Sequence, residues 1–162
     1  MLICKTIIVY DTLNPAASGE VACRNLGKVT FALAPGFHRL LPYSEYQKLR
    51  VRNLTKGTNV ADRAVIADTS QKRRTGLLKH PGLTAGEGLW IVPCEGIHTF
   101  AMKFAIDVLF LDKKRKVLKI RANMGKRRMS LSLFAHSVLE LPAGQAAATN
   151  TQPGDQLELE KQ

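Results

Sequence analysis

Cysteine is scarce: Cys4, Cys23 and Cys94 are the only three, and none forms a Cys-x-x-Cys pair. That argues against a disulfide framework or a zinc ribbon and fits a reducing cytosol. Long apolar runs are also lacking. The longest are short, such as Val108 to Leu111, whereas a membrane helix needs roughly 20 residues. The N-terminal MLICKTIIVYD carries Lys5 inside its apolar run, and no small-residue cleavage site follows promptly, which speaks against a secretory signal. A cytoplasmic location without a membrane span is therefore expected. The histidines at 38, 80, 98 and 136 show no His-x-x-x-His spacing, so no metal site is expected. There is no Gly-x-Ser-x-Gly, no Gly-rich phosphate loop opening a helix and no cysteine in an electropositive motif. No residue is nominated as catalytic, no cofactor is called for, and the reading leans away from an enzyme.

What is present is the material of one ordinary domain. At 162 residues, with 45% apolar and 23% charged residues, the chain can bury a core without staples and is not composed like a disordered one. Its one compositional outlier is a net charge of +11. The excess concentrates between Lys103 and Arg128, where ten cations face only Asp107 and Asp112. Such a field attracts polyanions or acidic partners.

The chain reads mostly as short strands. Residues 2–10 and 28–34 are rich in Ile, Val, Thr and aromatics and end at turn residues. From Pro42 to Val51 the pattern turns helical, with Ser44 and Gln47 as a capping box and Tyr46 and Leu49 on one face. A second short helix begins at Asp68 or Thr69 and stops before Pro81-Gly82. Thereafter the signal is all β: Gly88 to Val92, Thr99 to Met102, Ile106 to Asp112, Arg115 to Arg121, Ser137 to Leu141 and Gln156 to Glu160. Ile106 to Asp112 and Lys116 to Ile120 read as a hairpin whose turn carries Lys113-Lys114-Arg115. The fold class expected is mainly β, a compact β-sandwich or partly closed barrel with one or two short helices.

Polar residues in odd places mark the candidate site. Asp107 interrupts an apolar strand, and a carboxylate there is costly unless paired or hydrogen-bonded. It either faces solvent, bonds neighbouring backbone N–H groups, or anchors a cation such as His98 or Arg73 beside a pocket. Glu140 alternates with Leu139 and Leu141, so it faces away from them and becomes a site residue only if that sheet face is covered. His98 reads as a core histidine or as a ligand or base, and Met102 as core by default. Arg73, His98, Met102, Asp107 and Glu140 are the ligand-binding candidates. The basic runs Lys113, Lys114, Arg115, Lys116 and Lys126, Arg127, Arg128 read as solvated loops or as a polyanion-binding surface; no nucleic-acid module or stacking platform accompanies them.

Taken together, Arg73-x-x-Gly76-Leu77-Leu78, Gly86-Glu87-Gly88-Leu89, Ile97-His98-Thr99-Phe100-x-Met102, Ile106-Asp107-x-x-Phe110-Leu111-Asp112, Val138-Leu139-Glu140-Leu141-Pro142-Ala143-Gly144 and Gly154-Asp155-x-Leu157 resemble the DUF192 (UPF0127) family over about residues 51 to 159. His80 and Ala105 depart from that pattern, where the family commonly has Arg or Lys and Pro. The resemblance implies a small, mainly β domain found in bacteria and archaea. It supplies no reaction, because the family's function is unestablished. Some members carry N-terminal export signals, and this chain resembles those without. It also implies a division into an accessory segment, 1–50, and a DUF192-like domain, 51–162. The function expected is a non-catalytic β domain, monomeric, binding a small molecule or a protein partner. A nucleic-acid-associated protein and a carboxylate-dependent hydrolase are the alternatives.

Overall fold

In the stretch KLRVRN, Leu49, Val51 and Asn53 are buried while Lys48, Arg50 and Arg52 face solvent. This is the period-two pattern of a strand with one wet face. It forms β1 (Lys48–Asn53) in the computed structural model, which describes residues 47–162. The helix expected over 42–51 is therefore overturned in its last residues. β1 has a partner strand on each side, β2 (Thr58–Ala67) and β9 (Leu157–Lys161), and two ladders of backbone hydrogen bonds outweigh a local capping signal. The expected strands at 2–10 and 28–34 lie outside the described residues.

Beyond β2 come α1 (Ser70–Thr75), β3 (Glu87–Ile91), β4 (Gly96–His98), β5 (Ile106–Leu111), β6 (Val117–Met124), β7 (Met129–Leu131), β8 (Ser137–Pro142) and α2 (Gln145–Ala148). Among the described residues, seven strands make one sheet in the order β6-β5-β8-β3-β2-β1-β9, and β4 pairs with β7 in a separate ribbon. The β2–β3 pair is parallel, so the chain must cross over between them, and α1 lies in that crossover. As expected, α1 opens at Thr69, whose Oγ accepts from the Lys72 N–H at 3.2 Å. The expected β5–β6 hairpin also forms, turned by residues 112–116, where Asp112 Oδ1 accepts from the Lys114 and Lys116 N–H groups at 2.8 and 2.9 Å.

The sheet curls until its outer strands meet at one end. Lys116 bridges Gln156, the Val117 N–H donates to the Asp155 carbonyl at 2.9 Å and the Gly154 N–H to the Val117 carbonyl at 2.7 Å. The result is the partly closed barrel with two short helices that the strand pattern leads one to expect. Its interior holds Leu49, Val51, Val60, Leu109, Leu111, Leu139, Leu141 and Leu157 among others. A second core lies on the opposite face, where Leu89, Ile91, Val108, Phe110 and Val138 pack under Leu77, Met102 and Ala135. The middle of the sheet is thus covered on both sides, which is why all six residues of β5 are buried.

Polar groups fill one region of the interior as a closed network. Asn53 Nδ2 donates to Asp155 Oδ2 at 2.8 Å, and the hydroxyls of Thr149 and Thr151 meet at 2.8 Å. Burial alone would raise the Asp155 carboxyl, but the Asn53 amide, the Gln152 N–H and the Lys56 ammonium outweigh it and hold it below the usual carboxylate value. Among the described residues, no helix is long and apolar enough to cross a membrane.

Candidate ligand cleft on the outer face of the sheet

On the outer face an open cleft lies between the end of α1 and the segment carrying β4. One side is formed by Arg73 to Leu78, the other by Cys94, Gly96, Ile97, His98 and Met102, and the sheet contributes Ile91 and Glu140. Four of the five ligand-binding candidates, Arg73, His98, Met102 and Glu140, therefore line one concavity. Asp107 does not.

Strand geometry explains the division. Leu139 and Leu141 point into the barrel, so Glu140 between them must point outward. There it stands between Leu89 of β3 and Val108 of β5, its cross-strand neighbours. The face is covered by Leu77, Met102 and their neighbours, and Glu140 is left only 5% exposed. No group among the described residues donates to its carboxylate, and burial pushes its pKa up from 4.5 to about 8. Glu140 is thus mostly protonated at neutral pH and presents an O–H as well as acceptor oxygens to the cleft. Its strand is seated tightly: a Cβ at Gly88 would lie 3.1 Å from the Glu140 carbonyl oxygen, so the Gly of the Gly86-Glu87-Gly88-Leu89 element permits the close approach of β3 to β8.

Asp107 alternates the other way, with Leu109 and Leu111, into the barrel. Its Oδ1 accepts from the Asn123 N–H at 2.7 Å and its Oδ2 from the Ala146 N–H at 2.9 Å. Asn123 sits in a β6 bulge at φ 48°, and Ala146 is in the first turn of α2, whose N-cap Gly144 has no side chain to offer. Asp107 supplies that cap from the neighbouring strand. Of the accounts open to it, backbone N–H bonding is the one the geometry takes; neither His98 nor Arg73 is its partner.

Arg73 is held by backbone carbonyls. One guanidinium nitrogen donates to Asp68 O at 2.6 Å and Val92 O at 3.3 Å, and the other to Ser70 Oγ at 3.2 Å. These bonds tie α1 to the ends of β2 and β3 and fix the cleft wall. His98 lies at the end of β4, with its ring 5.3 Å from that of Phe100. Met102 follows in a turn, where a strand over Thr99 to Met102 is the sequence expectation. The residue that shapes this turn is Thr99, fully buried. Its Oγ donates to Gly125 O at 2.6 Å and accepts from the Arg128 N–H at 3.0 Å. Its backbone bonds the same segment through Arg127 and Arg128. The sequence alone gives Thr99 no prominence, since one threonine in an apolar stretch reads as ordinary strand.

The two basic runs do not share one place. Lys113 to Lys116 lie at the β5–β6 turn and Lys126 to Arg128 beyond the far end of β6, whose eight residues span roughly 26 Å. Arg115 is drawn inward at φ 67°, stacking over Trp90 at 5.7 Å and donating to Leu159 O at 3.3 Å. Among the described residues, no group of three or more His, Cys, Asp or Glu is arranged to hold a metal ion.

Comparison with known proteins places this geometry in a family. The DUF192 family model, described as "Uncharacterized ACR", matches residues 51–159. A UPF0127 protein of Thermococcus sibiricus is 34% identical over 113 residues, spanning 67% of this chain and 73% of that protein. A crystal structure of a protein of unknown function from Novosphingobium aromaticivorans matches with a TM-score of 0.62 at 26% identity, covering 82% of this chain and 99% of that one. The structure of a candidate transcription regulator from Sinorhizobium meliloti shares the fold with a TM-score of 0.62 at 22% identity, covering 70% of this chain and 95% of that one. The family model and the 34% identical relative agree: the chain belongs to the DUF192 family, whose function is uncharacterised.

Proposed function

We propose that this domain is a non-catalytic binding module whose cleft takes a small molecule with an apolar body and one polar end. The observation that carries the reading is Glu140, a buried carboxyl with no donor among the described residues, at the sheet side of an open cleft. An apolar lining with a few placed polar groups is the usual make-up of a ligand pocket, and here Arg73, His98 and Glu140 are among the polar members. Leu77, Ile91 and Met102 offer the apolar contact, and the protonated Glu140 offers a hydrogen bond to a carbonyl or hydroxyl acceptor. The hydrolase alternative lacks a carboxylate pair on this face, because Asp107 points into the barrel with both oxygens bound to backbone N–H groups.

The test is a small-molecule screen on the full chain by protein-observed NMR, repeated on Glu140→Gln and Met102→Trp. Ligands with a carbonyl or hydroxyl acceptor are expected to shift the signals of Leu77, Ile91 and Met102, with affinity lowered at least about tenfold by the Trp that fills the cleft. Hits that map elsewhere, or bind Met102→Trp as well as wild type, would overturn the reading.

A further inference from the structure

The β4–β7 ribbon exposes apolar side chains that its own packing does not use. Phe134 is 86% exposed, Met129 70%, Leu133 65% and Leu131 59%. Their exposure follows from ordered backbone. Met129 and Leu131 flank the buried Ser130 in β7, so period two turns both outward. The loop after them is closed by three backbone bonds: Ser132 N–H to Glu95 O at 2.8 Å, Ala135 N–H to Ser132 O at 3.0 Å, and His136 N–H to Leu111 O at 2.8 Å. Ala135 is buried beneath it. Leu133 and Phe134 are therefore held at the tip of an anchored loop. Four large apolar side chains exposed between Met129 and Phe134 point to an interaction surface.

Cations border the same face. Lys126, Arg127 and Arg128 are exposed and run directly into Met129. Lys119 reaches β7 from β6, its Nζ donating to Leu131 O at 3.0 Å. Phe100, 43% exposed, is followed by the exposed Lys103, and the Thr99 bonds hold that turn against residues 125–128. Between Lys113 and Leu139 the chain has no acidic residue.

We propose that this face docks the protein onto an anionic lipid bilayer, Leu133 and Phe134 entering the headgroup–acyl boundary while the flanking cations meet lipid phosphates. Charge complementarity selects that occupant: apolar side chains at a tip with a basic surround match a surface that is apolar within and anionic at its edge. Nucleic acid fits less well, because Leu131, Leu133 and Met129 offer phosphates and base edges nothing. The surface is separate from Glu140, so the inference stands independently of the cleft.

The experiment is vesicle co-sedimentation of the full chain with phosphatidylcholine alone and with about 30 mol% phosphatidylglycerol, at low salt and at about 0.5 M salt. Binding is expected on the anionic vesicles, at least about tenfold weaker on phosphatidylcholine and weakened at high salt. The double variants Leu133→Ser/Phe134→Ser and Arg127→Glu/Arg128→Glu should each reduce it at least about tenfold with an unchanged melting temperature. Absence of vesicle binding overturns the proposal. So does binding that the Ser variant leaves intact, or a DNA affinity that the Ser variant abolishes. A lipid-free dimer that the Ser variant dissociates assigns the face to a second copy and overturns it too.

Discussion

Asp107 and Glu140 stand on adjacent strands, one residue out of register, and point to opposite faces of the same sheet. Val108 pairs with Glu140 and Asp107 with Leu141, so the one-residue offset sends the carboxylates into different cores. Two carboxyl groups separated by a sheet cannot act on one bond. Their chemistry separates with their positions: Asp107 is satisfied by two backbone N–H groups, while Glu140 lies at the sheet side of the cleft that Arg73 and His98 also line.

Asp107 should therefore matter to folding and not to the cleft. Asp107→Asn has one acceptor oxygen for two N–H partners and turns its own NH₂ toward one of them. A loss of roughly 1–3 kcal/mol in unfolding free energy is expected, read from the denaturant midpoint, with NMR signals of the cleft residues unmoved. Unchanged stability would show that neither bond matters.

Glu140 should shape the pH dependence of stability. Its folded pKa, about 8, lies above the ordinary 4.5, so the folded state holds a proton that the unfolded chain releases. Its contribution is therefore full below pH 4.5, declines as pH rises, and is lost above pH 8. Glu140→Gln cannot ionise and should remove that decline, making the variant the more stable protein in alkali by up to roughly 5 kcal/mol. Parallel curves for the two proteins from acid to alkali would contradict the raised pKa.

Thr99 should control the segment that carries His98 and Met102. Thr99→Val keeps the shape but removes the hydroxyl that bonds Gly125 and Arg128. The expected cost is roughly 1–3 kcal/mol, together with faster hydrogen exchange at the Arg128 amide. Exchange that quickens everywhere equally would mean that Thr99 supports the whole fold and not this turn.

Much of the β architecture was readable because period two and turn chemistry are local. Ile106 to Asp112, Ser137 to Leu141 and Gln156 to Glu160 were expected within a residue or so of the observed β5, β8 and β9. β2 went unread because Asp62 and Arg63 break its apolar pattern at the point where the strand leaves the core, both being exposed. β7 and α2 are too short for any periodicity to show. Of the candidate site, Glu140 was identifiable by alternation alone, conditional on something covering its face. Whether anything does depends on residues some 40 to 60 positions distant, Leu77 and Met102 among them, and alternation within one strand carries no such information.

The sequence by itself determined the class of fold, the family and the direction in which Glu140 points relative to its leucine neighbours, because each rests on local pattern. Only the tertiary structure decided that Asp107 caps α2 and that Glu140 is buried beside a cleft, since both depend on contacts across strands. It likewise decided that the apolar residues of β7 and its loop face outward beside the basic run. A side chain's chemistry follows from its identity, but its burial, and with it the protonation of Glu140, follows from what the rest of the chain places over it.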